Sequence, residues 1–300
     1  AQVISQPSLV VPAQSGGSRP VWWFPPFVAM HARPQRALKF TYNYAADRWD
    51  RSEVQLLVNG HPFSEGGMRL AYRATEILED GSAVECVVKR LKPGMGLPDE
   101  TNWHEAMTQM VAEGYTQEFN KACAAKKLPH SVAFLPVSVV QLEGARDSCC
   151  LEPYLQGEYV KHSDNTGHNE TENEVAAAFS YFTYVTSGNL LVVCDIQGVG
   201  TFYTDPQVHT FDGEGFGAGN LGQEGIRRFL TSHRHSLLCE QLGLPSLDAG
   251  LSDEEIARKM QDSEQQAALE DLPWSDSPLE PWDSRRYASG LAAIARLLQR

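Results

Sequence analysis

Apolar and polar positions alternate through much of the first half of the chain, then give way to apolar runs at helical spacing. Residues 54–58, 70–74 and 84–88 read as strands separated by Gly-containing turns. Residues 99–127 carry Trp103, Met107, Met110, Val111, Tyr115, Phe119 and Ala122 at helical spacing, which predicts one long amphipathic helix with a core-facing stripe. Cys149-Cys150-Leu151-Glu152 reads as a further strand. Thr171-Glu172-Asn173-Glu174 has the form of a capping box and starts an apolar helix through about Tyr184. Ser187-Gly188-Asn189 then turns the chain into a strand over 190–194, which delivers Asp195 at its end. Asn220 is placed as the N-cap of a helix reaching about His233.

This pattern predicts an α+β fold in two parts: a β-rich part with one long helix over 36–150, and a mixed α/β part over 151–247. Residues 1–35 read as a flexible leader with an aromatic segment, Val21 to Phe27, whose Pro25-Pro26 pair cannot sit inside a helix. That segment serves either as a regulatory anchor or as packing against the domain that follows. After Leu247 the sequence turns acidic, with Gln and Pro, and 248–300 is expected to be a partly helical or disordered tail.

Composition narrows what the fold is for. Apolar content of 42% and charged content of 21% are ordinary for a soluble globular protein. The formal net charge of −13 argues against nucleic-acid binding, which needs a basic face, and suits either a basic partner or plain solubility. No apolar run approaches the ~20 residues of a membrane span, so no membrane partner is expected. The six cysteines lack paired spacing, as expected of a reducing compartment, and a cytoplasmic location follows.

The most informative chemistry lies at Asp195-Ile196-Gln197-Gly198 and Tyr203-Thr204-Asp205-Pro206. Two carboxylates and an amide leave a buried strand into a glycine-loosened loop; hard oxygen ligands of this kind suit Mg²⁺. A remaining carboxylate can orient or deprotonate an attacking hydroxyl. By itself such a loop also fits ordinary Asx capping. Lys89, ending a strand, is either a solvated strand end or a point charge for phosphate. Gly66-Gly67, followed by Arg69, forms a turn whose N–H groups can cover phosphates, although hairpins use glycine for conformation alone. Gly217-x-Gly219-Asn220-x-Gly222 matches G-x-G-x-x-G, but it follows a polar loop and no ribose-binding acid comes after it, so a dinucleotide site is rejected. His233-x-His235-x-x-x-Cys239 offers ligand types for half of a zinc site, or a helix end with a buried Cys.

These stretches in this order resemble the alpha-kinase family of atypical serine/threonine protein kinases, most of all its elongation factor 2 kinase and myosin heavy chain kinase branch. The matching segments are 62–69, 87–90, 151–161, 164–167, 195–209 and 216–222, and the resemblance covers about 36–247. It implies a two-lobed kinase with ATP in the cleft, transferring the γ-phosphate to a Ser or Thr of a protein substrate with Mg²⁺. It further implies that Lys89 contacts the α-phosphate while Gly66, Gly67 and Arg69 hold the phosphate region. Glu152 and Tyr154 meet adenine, Gln197 and Asp205 bind Mg²⁺, and Asp195 orients or deprotonates the hydroxyl. The loop Gly217, Gly219, Asn220, Gly222 is expected to engage substrate peptide. The family's zinc pattern, H-x-C-x-x-x-C with a His on an earlier helix, is altered here: His235 replaces a Cys and Tyr181 stands where His is expected. Either another group such as Cys194 or a water completes the site, or packing replaces the metal. The alternative function is a catalytically impaired, nucleotide-binding or scaffolding member. The stretch 22–36 is aromatic and basic, as a calmodulin-binding segment would be, but Pro25-Pro26 breaks the helix required, so calmodulin is not expected as a partner.

Overall fold

Extended segments rich in Val, Thr, Tyr and Cys build the first half of the protein. The computed structural model describes residues 33–246, apart from 45, 47, 99, 146 and 169. The aromatic segment of the leader and the acidic tail lie outside the described residues. In chain order come β1 (Gln35–Asn43), β2 (Arg48–Val58), β3 (Ser64–Glu65), β4 (Arg69–Ile77), β5 (Ala83–Leu91), α1 (Thr101–Ala125), β6 (Ala133–Phe134), β7 (Ser138–Leu142) and β8 (Ser148–Pro153). The second half adds β9 (Val160–Lys161), α2 (Glu174–Thr186), β10 (Leu191–Cys194), β11 (Gln197–Val199), β12 (Phe202–Thr204), β13 (Gln207–Thr210), α3 (Gly222–Ser232) and α4 (Leu237–Leu242).

Seven strands make one antiparallel sheet in the order β2-β1-β7-β8-β5-β4-β3, and β2 also pairs with β4, so the sheet closes on itself. Closure removes most unpaired edges. Leu56, Ala74, Cys86, Val88, Val140, Cys149 and Leu151 pack together as one core of this sheet. The boundary expected between 150 and 151 falls inside β8, which pairs with β7 over 148–151 and with β5 over 150–153.

Helix α1 joins this sheet to the second half. Met107, Val111, Tyr115 and Phe119 enter the main core with residues of α2, β10 and α3. On the adjoining face, Ala106 packs with Val137, with Val139 of β7 and with Cys150 of β8. The helix also carries a polar stripe at the same period: Asn102, Glu105, Gln109, Glu113, Thr116 and Asn120 are all partly or fully buried. Asn120 accepts from Val132 N at 2.9 Å and donates to its carbonyl at 2.7 Å. Glu113 accepts from Phe134 N at 2.7 Å, and Gln109 donates to Leu135 O at 2.8 Å. These bonds satisfy a backbone that β6, an edge strand paired only with β12, leaves without a second partner.

Two caps differ from expectation. Asn173, not Thr171, caps α2: its side chain accepts from Ala176 N, while Thr171 bonds the His162 ring at 2.9 Å. The N-cap of α3 is Leu221, and Asn220 instead accepts from Thr210 N and Gly222 N, both at 3.0 Å, tying the loop to β13. No helix among the described residues is long and apolar enough to cross a membrane.

Candidate active site

A cleft of about 650 Å³ lies against β4, β5 and the end of β8, and it collects Gly66, Gly67, Arg69, Lys89, Glu152, Tyr154, Asp195, Gln197 and Asp205. A larger hollow of about 890 Å³, lined by Trp49, Trp103 and Lys92 among others, holds none of these groups. Chemistry, not volume, marks the site.

Lys89 is the electrostatic centre of the cleft. Its Nζ lies 2.6 Å from Glu152 and 2.6 Å from Asp205. Burial alone would lower the lysine pKa, but Asp205 and Glu152 outweigh it and hold the pKa above the ordinary value. The same pairing works on Asp205: burial pushes its pKa up, Lys89 and Arg69 overcome that, and it stays below the usual carboxylate range. Asp205 keeps 37% of its side chain exposed, so a carboxylate already paired can still receive a further cation. Arg69 is held in turn by Glu105 of α1 at 2.9 Å.

Across the cleft, Asp195 and Asp205 both take left-handed backbone conformations, with φ of 57° and 53°. For residues other than glycine such geometry costs about 1–3 kcal/mol each and persists only where neighbours enforce it. Gln109 supplies one enforcement, accepting from Asp205 N at 2.8 Å. Gly198 supplies another, because a Cβ there would collide with the Phe202 carbonyl and Tyr203 Cα and pry the β11–β12 hairpin open. Gln197, beside it, donates its amide to Asp195 Oδ2 at 3.1 Å and to the Asp205 carbonyl at 3.2 Å. All partners of that nitrogen are acceptors, so Oε1 is the end left to act as a ligand. Lys161 pairs with Asp195 Oδ1 at 2.9 Å. Burial raises the Asp195 pKa, and Lys161 pulls it only part of the way back.

The glycine loop is organised by polar contacts, not by a nucleotide-binding strand. Asn220 donates to Thr210 Oγ1 at 2.8 Å, and His209 Nδ1 accepts from Leu221 N at 3.1 Å. Burial lowers the His209 pKa, which keeps Nδ1 free to accept. Gly217 and Gly222 have φ of 76° and 61°, and a Cβ on Gly219 would run into the Gln207 amide. None of these loop residues lines the cleft, although Gln207 does. His233, His235 and Cys239 converge separately, His233 just after α3, His235 in the connection and Cys239 on α4.

A model of the alpha-kinase family matches residues 64–239. The chain belongs to the alpha-kinase family. Myosin heavy chain kinase B of Dictyostelium discoideum is 34% identical over 220 residues, which are 71% of this chain and 29% of that protein. Eukaryotic elongation factor 2 kinase of Homo sapiens is 33% identical over 225 residues, 71% of this chain and 30% of that one. Alpha-protein kinase 1 of Dictyostelium discoideum is 33% identical over 224 residues, and the match spans only 16% of it. This chain therefore covers less than a third of the length of these curated relatives. Among solved structures, the alpha-kinase domain of myosin heavy chain kinase A with AMP superimposes at a TM-score of 0.65 and 30% identity, covering 71% of this chain and 100% of that one. The same domain with AMP-PNP gives 0.66 and 30%, covering 71% and 97%.

Within this alpha-kinase domain the cleft combines Lys89 and Arg69, free carboxylate and amide oxygens, and a bare glycine turn. Neither Gly66 nor Gly67 has a positive φ, and a Cβ on Gly67 would meet nothing within 4 Å. No protein contact demands glycine there, so the bareness leaves room in the cleft. Glu105 and Gln109 are site residues that strand and motif reading passed over, and Lys161 and Thr204 lie in motifs it quoted without giving them a role. Thr204 bridges Glu152 at 2.8 Å and Gln109 at 3.3 Å, completing the floor beneath Lys89.

Proposed function

We propose that this chain is the catalytic domain of an alpha-type protein kinase that moves the γ-phosphate of ATP to a serine or threonine hydroxyl of a protein, with Mg²⁺. The observation that carries the reading is Lys89 clamped between Glu152 and Asp205, in one cleft with Asp195. Lys89 and Arg69 would face the phosphates, and the bare Gly66-Gly67 turn would let them approach the backbone. Gln197 Oε1 and the exposed side of Asp205 would hold the metal, which supplies charge neutralisation to the phosphates when bound. Asp195 would accept the proton of the incoming hydroxyl as its oxygen displaces ADP at phosphorus. A pKa raised by burial makes Asp195 a stronger base than an exposed carboxylate. All six cysteines are unpaired and buried, which supports a cytoplasmic setting.

The test is label transfer from γ-labelled ATP with Mg²⁺ to a basic helical peptide. Transfer that disappears in Asp195→Ala supports the kinase. Undiminished transfer in that variant overturns the role of Asp195. Thermal stabilisation by ATP without any transfer identifies an impaired, nucleotide-binding member instead.

A further inference from the structure

Three side chains from separate segments meet at one end of the cleft. Phe63 and Tyr154 line it, and Arg73 does not. The Arg73 Cζ sits 3.2 Å from the centre of the Tyr154 ring and 5.1 Å from that of Phe63. The two rings meet edge to face, with centroids 6.3 Å apart and planes at 77°. A guanidinium over an aromatic ring is held by the ring quadrupole, and its planar shape suits stacking. The ion pair of Arg73 with Glu85, at 3.9 Å between exposed side chains, is weak beside that contact.

Backbone pairing fixes where this corner stands. Arg69, Ala71 and Arg73 alternate onto one face of β4, with Leu91, Lys89 and Val87 of β5 opposite them. Arg73 is therefore about 7 Å along the strand from the residue paired with Lys89, on the side away from Arg69. Phe63 N donates to Ala71 O and Tyr154 N to Glu85 O, both at 2.9 Å. The corner thus ties the turn that carries Gly66-Gly67 to the segment that leaves β8. Phe63 keeps 48% of its surface exposed, an apolar area that a planar group in the cleft would cover.

We propose that Phe63 and Tyr154 form the wall against which the nucleotide base packs, and that Arg73 is the positioning residue that holds both rings there. The inference rests on the reading of the cleft as an ATP site, with Arg69 and Lys89 at the phosphate end. Recognition at the corner is by apolar and stacking contact, so it acts on the base and not on the phosphates.

The experiment is equilibrium binding of two probes to the full chain with Mg²⁺: ATP, and inorganic tripolyphosphate, which has the phosphates without a base. Phe63→Ala should weaken ATP about tenfold. Arg73→Met, which keeps the stem and loses the cation, should weaken ATP about fivefold. Tripolyphosphate should change by less than about twofold in either variant, which also reports an intact fold. Arg73→Lys should recover part of the loss, because an ammonium still attracts the rings. Glu85→Gln removes the ion pair and leaves the stack, and should bind ATP as the wild type does. Unchanged ATP affinity in Arg73→Met, or equal weakening of ATP and tripolyphosphate, overturns the corner and leaves the kinase reading standing. A wild type that does not bind ATP overturns both.

Discussion

Gln109 is the joint between helix α1 and the Asp205 end of the cleft, and Gln109→Leu probes it directly. Leucine nearly preserves the volume, so the perturbation is the loss of hydrogen bonds. The substitution strands the Leu135 carbonyl, bonded at 2.8 Å, and the Asp205 N–H, also at 2.8 Å. It further removes one of the partners of Thr204, which keeps Glu152. The Leu135 bond is buried, and a stranded group there costs about 1–3 kcal/mol. Asp205 sits beside the open cleft, where water replaces part of the loss. We expect a total of about 2–4 kcal/mol, a large share of the roughly 5–15 kcal/mol typical of a domain. Urea unfolding should show it as a lower midpoint at unchanged slope. The left-handed Asp205 also loses an enforcing bond, so turnover on labelled peptide should fall about a hundredfold if the carboxylate moves by about 1 Å. A stability loss below about 1 kcal/mol, together with unchanged turnover, would refute the argument that α1 holds Asp205 in place.

Other outcomes follow from the same geometry. Burial raises the Asp195 pKa and Lys161 lowers it, so Lys161→Met should move the acid limb of the kcat–pH profile to higher pH; a limb that stays put removes Asp195 as the titrating base. Asp205 has a folded-state pKa below its unfolded value of about 3.9, so its contribution is present above that pH and lost as pH falls through the folded pKa. Asp205→Asn should therefore flatten the dependence of stability on pH below about 4, measured by urea unfolding. Gly198→Ala forces a Cβ onto the Phe202 carbonyl and should cost about 3 kcal/mol or more, seen as a fall in Tm; a neutral effect would mean the β11–β12 hairpin yields easily.

Much of the site was legible because its chemistry sits at strand ends and in glycine turns. Lys89 was read as the end of a Val-rich strand and lies within it, since β5 runs on to Leu91, while Asp195 directly follows β10 as expected. The supports were harder to see. Glu105 and Gln109 belong to a polar stripe that interleaves with the apolar residues of α1, and counting only apolar positions reduces that helix to core. A second period-matched series, from Asn102 to Asn120, was the available signal: a helix polar on two faces and still long has to spend its side chains on something buried. The caps failed for a different reason. Thr171-x-x-Glu174 and Asn220 satisfy local capping rules, but His162 and Thr210, nine and ten residues earlier and outside the capping window, compete for those side chains. Local patterns carry no information about such competitors.

The charge balance of the cleft ties the fold to the proposed reaction. Arg69, Lys89, Lys92 and Lys161 are matched against Glu65, Glu105, Glu152, Asp195 and Asp205, four cations against five carboxylates, and each cation is already within ion-pair distance of an acid. A triphosphate is strongly anionic and would enter a region with one net negative charge. Protein cations released from their partners would leave carboxylates buried and unpaired, which is costly in a low-dielectric site. A divalent cation bound with the phosphates would relieve this, and the exposed side of Asp205 and Gln197 Oε1 are the groups that would hold it, leaving Lys89 paired with Glu152. On the proposed reaction the left-handed turns at Asp195 and Asp205 would present oxygens to that cation, and Gln109 of α1 supplies a hydrogen bond that holds the Asp205 turn.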